Sequence, residues 1–468
     1  METTTADNPI RESEKLFAET PPGRLFMRAA LPGALGMLVS SSYEIVDAIF
    51  IGTFLGETAF AALHLSIPII IVGFALGDLI GSGSAVPISI SLGKGDYEHA
   101  NEVFSFACVL NVVTGAIMGL LLFLGADAMM ALMGADGEFA ALGAIYLRVF
   151  SFFLPVTTIT YSVDNFLRIC GHIRRSFFVN VAMAVTGALL ELLFMGVFHW
   201  GIWSAALAYS LAMVISVIVA FWPFFQGRML LKFTVPKPSL DMLAEIVKYG
   251  MPVFLDTTSS RIFSIIMNIA LVRLGGEVAV SVFGIIMTVQ SVFIMLIYGM
   301  IDALQPAVGY NWGARALPRV KALEKYCFAS SAIIGIVGFA AVRLAPEFMV
   351  HLFLPSADAE FVVLAVHALR LFSWSLLIKW FSFATQSFMI AVGQVRLASF
   401  VSVAMVCIFP LMALFALWPL GLDGLWLNST ATYVLCTVMC AFVLLLKQQM
   451  NKLFKPRKAA DKKGGEVK

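Results

Sequence analysis

Charge is what this sequence has least of. Asp, Glu, Lys and Arg make up 13% of its 468 residues, about half the share of an ordinary soluble chain. That shortage excludes a solvated globular domain. The six histidines are scattered without metal-ligand spacing. The six cysteines (108, 170, 327, 407, 436 and 440) lie in apolar runs or at their ends. Cys436 and Cys440 share a helix face, but neither zinc nor disulfide spacing is present, so all six read as buried small hydrophobes. No Gly-rich Lys-Ser/Thr phosphate loop occurs, and no cytosolic stretch is large enough to carry a nucleotide domain. A membrane-embedded enzyme would show an Asp/Glu/His cluster at a loop edge; none is found, and no enzymatic activity, nucleic-acid partner or cofactor is expected. The polar N-terminus lacks the charged, apolar, small-residue order of a signal peptide.

What the chain has is apolar length: 60% hydrophobic residues, with mean hydropathy +0.92. Runs broken by Gly, Pro or charge count out as twelve, at 27–55, 63–92, 101–125, 140–162, 173–196, 201–224, 245–274, 279–308, 321–344, 360–391, 396–417 and 424–446. Each is long enough to cross a bilayer, for which roughly 20 residues suffice. The fold class is therefore an all-α integral membrane protein of twelve transmembrane helices. Most of the 31 Lys and Arg residues fall in alternate loops and at the two ends, which places both termini in the cytoplasm.

The chain also repeats itself. Leu31-Pro32 returns as Met251-Pro252, and Gly93 as Gly313, both 220 residues on. YLRVFS at 146–151 returns as ALRLFS at 368–373, and Gly171 and Arg174 return as Gly393 and Arg396. Gly201-Ile202-Trp203 returns as Gly424-Leu425-Trp426. Six spans per half give both halves one polarity, a parallel repeat about an axis along the membrane normal, with the substrate site near mid-membrane. The expected organisation is a cytoplasmic segment 1–24, a six-helix bundle 25–225, a basic linker 226–244, a second bundle 245–446 and a basic tail 447–468.

The residues of chemical interest are those that cost most in hydrocarbon. The first span, Leu31 to Gly52, carries Glu44 and Asp47 near its middle, each costing about 2.5–3.5 kcal/mol at such depth. They are three apart, on one face with Gly36, Ser40 and Tyr43, so this stripe looks into a bundle or a wet cavity. The alternative is an interhelical hydrogen bond that only holds the bundle together. Arg148 and Arg370 occupy equivalent repeat positions and suit a structural ion pair or cap. Asp78 and Asp302 are candidates for gating or bundle contacts. Asp256 and Arg261, five apart, do not share a face.

Several motifs in order resemble the MATE (multidrug and toxic compound extrusion) family of bacterial transporters. They are the Leu-Pro opening of the first span, YEIVDAIFIG at 43–52, the SLGKGD loop at 91–96, NFLRICG at 165–171 and ELLFMGVFHWGIWSAALA at 191–208. The resemblance implies two pseudo-symmetric six-helix halves that alternate between outward- and inward-facing forms. It implies export of organic cations and drugs in exchange for H⁺ or Na⁺, from a bacterial inner membrane. It makes Asp47 the first-helix acid. Where members often read N-x-x-x-D-P in the fifth helix, this chain has Gly187 to Leu192, with Glu191 in place of Asp. The C-half positions that carry acids in some branches read Ser260-Arg261, and the tenth span carries Lys379, which moves the expected coupling site to the N-half. Asp47, Glu44 and Glu191 would there form one coupled set, sharing protons as a group. Tyr43, Tyr146, Asn165, Asn180 and Asp256 are the weaker cavity-lining candidates. The expected partners are small drugs or organic cations and the lipid bilayer, with the protein a monomer. A lipid-linked saccharide flippase of the same superfamily is the alternative, and the central acids of the first helix argue against it.

Overall fold

A long apolar run satisfies its backbone in hydrocarbon only by closing on itself as a helix. In the computed structural model, which describes residues 15–133, 135–235, 239–353 and 358–453, every described element is helical. We number the long helices α1 (Pro22–Leu55), α2 (Glu57–Lys94), α3 (Tyr97–Leu132), α4 (Gly137–Ile169), α5 (Ile173–Val197) and α6 (Trp203–Phe225). There follow α7 (240–275), α8 (277–313), α9 (Leu317–Leu344), α10 (Ala359–Ala391), α11 (Val395–Leu420) and α12 (Leu422–Leu453). Ten of these meet length and hydropathy criteria for crossing a membrane. The other two, α1 with 34 residues and α7, are also long enough, which is consistent with the twelve expected spans. Large apolar side chains stand on the outside, among them Phe152 at 74% exposure and Phe415 at 76%, as a lipid-facing surface requires. This is a multi-pass membrane protein.

The helix ends follow from local residues. Gly95 takes a left-handed φ of 80° and its N–H bonds to the Leu92 carbonyl, and Asp96 then accepts from the His99 N–H to cap α3 at 3.1 Å. At the repeat-equivalent position, Arg315 is held at φ 57°. The α7–α8 junction is continuous except at Gly276, φ 61°. Two elements were not anticipated: the helix Pro346–Phe353 and a π-helical turn at Lys15–Glu19. That turn is strapped to the C-half: Asn311 Nδ2 and Arg319 Nη2 both donate to the Phe17 carbonyl, at 3.0 and 2.9 Å. The linker runs along α3, where the N–H groups of Lys232 and Thr234 donate to Asn101 Oδ1 and Ser105 Oγ at 2.8 and 2.9 Å. The end of the basic tail, 454–468, lies outside the described residues.

The two halves meet through glycines. A Cβ on Gly93 would lie 2.0 Å from the Tyr310 carbonyl oxygen, and one on Gly313 would lie 2.1 Å from that of Ile90. Gly83 and Gly250 make the same close approach to Ile246 and Leu79, and Gly33 to Gly299. All these crossings lie toward the end of the bundle that carries the 94–97 and 313–317 turns. Beyond them, residues of α1, α2, α4, α6 and α7 line a cavity.

Candidate functional site: an aromatic cavity walled by two carboxylates

The cavity has a volume of about 720 Å³, within the usual range for a small-molecule site. Its wall is mainly aromatic and aliphatic, with Tyr43 and Asp47 from α1, Phe74 and Asp78 from α2, Tyr146, Phe150 and Tyr161 from α4, and Tyr209 from α6. Thr257 and Arg261 of α7 close it from the C-half. The rings form a chain: Tyr43 stacks on Tyr209 at 5.3 Å, Tyr209 on Phe150 at 6.2 Å, and Phe150 meets Phe74 edge-on at 5.6 Å.

Behind Tyr43 lies Glu191, with no exposed surface. The Tyr43 hydroxyl donates a hydrogen bond to its Oε1. Asp47 is an electrostatic and hydrogen-bonding neighbour of Glu191, and Tyr146 and Tyr209 lie in the same electrostatic cluster. Two features of α5 make this possible. Gly187 sits one turn before Glu191, and a Cβ there would come 2.7 Å from the Tyr43 ring; the absent side chain is the space the tyrosine fills. The helix then loosens into a π-helical turn at Leu192–Val197 directly after Glu191, a distortion that recurs at functional sites. The departure from the N-x-x-x-D-P pattern thus has a steric account at its first position, where Gly admits a phenol.

The remaining candidates fall elsewhere. Asn180 donates to Asp164 Oδ1 at 3.0 Å, in a cluster where Arg168 pairs with Asp164 and Ser176 donates to it. Asp302 of α8 is an electrostatic neighbour of this cluster and of Asp78. Asn165 is half-buried on α4. Asp256 lies inside the C-half, accepting from the Tyr298 hydroxyl at 3.1 Å. Lys379 is also there, 1% exposed, with its Nζ 4.7 Å from the centre of the Tyr433 ring and without a hydrogen-bond partner among the described residues. Arg148 pairs with Asp127. The backbone of Glu44 belongs to α1, but its side chain lies outside the described residues. Among the described residues, no three His, Cys, Asp or Glu side chains are grouped as metal ligands. Tyr209, Phe74 and Arg261 were not singled out from sequence as part of the cavity. For Tyr209 a signal existed, since a phenol in an apolar span favours the protein interior over lipid.

The sequence model of the MatE family matches residues 32–193 and again 252–418, the two copies beginning 220 residues apart as the internal repeat does. The chain belongs to the MatE family. It is 27% identical over 437 residues to the multidrug export protein MepA of Staphylococcus aureus strain MSSA476, covering 92% of this chain and 95% of that protein. Its fold is similar to that of a MATE protein solved in complex with MaL6, with TM-score 0.88, 23% identity and coverage of 95% and 99% of the two chains. It is equally similar, with TM-score 0.88 and 22% identity, to the outward-facing conformation of a multidrug resistance MATE family transporter, covering 97% of this chain and all of that one. A MatE chain of this kind is a transporter and not an enzyme.

Proposed function

We propose that this MatE protein is a secondary active multidrug efflux transporter that exchanges organic, often cationic, compounds for H⁺ or Na⁺ by alternating access. The observation that carries the reading is that Asp47 of α1, which lines a drug-sized aromatic cavity, meets Glu191 of α5 directly behind its wall. Aromatic faces and a carboxylate together suit a flat lipophilic cation. When the carboxylates hold a negative charge the cation is attracted; when the pair takes up protons that attraction ends. Because the two acids adjoin one another and the Tyr43 hydroxyl, the protons belong to the group and not to one residue. Exchange further requires that ion and drug bind the two conformations unequally.

The positive loops assign the closely packed end, with Lys94, Arg315 and Arg319, to the cytoplasm. On that assignment the cavity opens outward, both termini are cytoplasmic and the protein resides as a monomer in a bacterial inner membrane. Proton coupling is favoured over Na⁺, because Glu191 already takes a hydroxyl donor and adjoins a second carboxyl with which it can share a proton. The test is uptake of a fluorescent lipophilic cation into proteoliposomes under an imposed pH or Na⁺ gradient, with Asp47→Asn and Glu191→Gln beside the wild type. Transport driven by the pH gradient and lost in Asp47→Asn supports the reading. Full transport in both variants returns the two acids to structural roles.

A further inference from the structure

The cavity holds a charge of the other sign. Arg261 projects from α7 of the C-half into the same space that Asp47 and Asp78 line from the N-half. It makes no hydrogen bond or ion pair with any described residue. A guanidinium keeps its charge at any physiological pH, and its planar fork of donors matches a carboxylate in a two-point contact. A substrate bearing only positive charge meets Arg261 as a like charge across the cavity. A substrate bearing a carboxylate as well satisfies both walls, and it bridges the two halves in doing so.

We propose that Arg261 makes the cavity selective for zwitterionic aromatic amphiphiles, binding their carboxylate while Asp47 attracts their cationic group. The proposal rests on the efflux reading of the cavity and adds its substrate class. The aromatic chain of Tyr209, Phe150 and Phe74 supplies the surface for a flat ring system between the two charges. The arrangement also places the anion-recognising residue on the half opposite the coupling carboxylates. The substrate's anion and its cation are thereby read on separate walls.

The test uses two dyes with one chromophore: tetramethylrhodamine with its free carboxylate, and its methyl ester, a plain cation. Binding to the full-length protein in lipid nanodiscs is followed by fluorescence anisotropy. Wild type is expected to bind both and to favour the carboxylate dye. Arg261→Gln is expected to weaken the carboxylate dye about tenfold, the order of one charge-assisted pair, and to tighten the ester by about threefold as a like charge leaves. Arg261→Lys restores part of the preference, since it keeps the charge and loses the fork. Equal shifts of the two dyes in Arg261→Gln overturn the proposal while leaving the efflux reading standing. A wild type that binds neither dye overturns the drug-binding reading of the cavity and this proposal with it.

Discussion

Substituting Gly93 by Ala tests whether the glycine crossings set the conformation. The new Cβ would lie 2.0 Å from the Tyr310 carbonyl oxygen, where ordinary contact begins at 3.4 Å, so α2 and α8 must separate locally by about 1.4 Å. The obstacle is backbone, so no side-chain rotation relieves it. Overpacking of this kind costs about 1–3 kcal/mol. If the two halves exchange between forms closed at either end, that cost falls only on the form with the 94–97 and 313–317 turns together. A change of about 2 kcal/mol then moves the population ratio about thirtyfold. Distances between spin labels on genetically encoded side chains at the exposed positions 94 and 315 read this directly. Wild type should show mainly the short distance, and Gly93→Ala a large share of a longer one. Gly284→Ala is the control, because nothing lies within 4 Å of a Cβ there, and it should leave the distribution alone. A Gly93→Ala protein with the wild-type distances and the wild-type melting temperature would refute the argument.

Removing the Tyr43 hydroxyl in Tyr43→Phe leaves a buried carboxyl oxygen without its donor. A loss of about 1–3 kcal/mol of stability and slower dye efflux are expected, and a variant unchanged in both would show the bond contributes nothing. Lys379→Met keeps length and removes a buried charge that has ring faces near it. The cation–π attraction given up is worth about 2 kcal/mol against a desolvation cost of several, so the melting temperature should hold or rise; a fall of several degrees would mean that the ammonium has a partner in the membrane. Arg315→Gly relieves a left-handed non-glycine residue and should stabilise the protein by about 1 kcal/mol, read by thermal unfolding; no gain would show the turn unstrained.

The spans were legible because hydrocarbon imposes one rule on every residue, and α1 to α12 follow the apolar runs to within a turn or two at their ends. The break between α7 and α8 was legible as the gap between the apolar runs 245–274 and 279–308, and the structure adds that Gly276 carries it through a positive φ, which glycine takes without strain. The repeat was legible as well, but not its consequence. Gly93 and Gly313 are a matched pair in sequence, yet spacing alone does not reveal that each is the point where the other half's helix presses closest. The same gap separates Asp47 from Glu191. Each is conspicuous by itself, as a carboxylate where a carboxylate is costly, and the long stretch of chain between them says nothing of their meeting. The resemblance supplied that pairing; the rotation of α5 about its axis, set by Gly187 against the Tyr43 ring, supplies its cause. Asn180 and Asp256 show the opposite case. Polarity marked them as cavity-lining candidates, and the structure sets them instead against Asp164 and Tyr298. A polar residue in an apolar helix reports that a partner exists, and the small residues on the neighbouring helix decide which one it reaches.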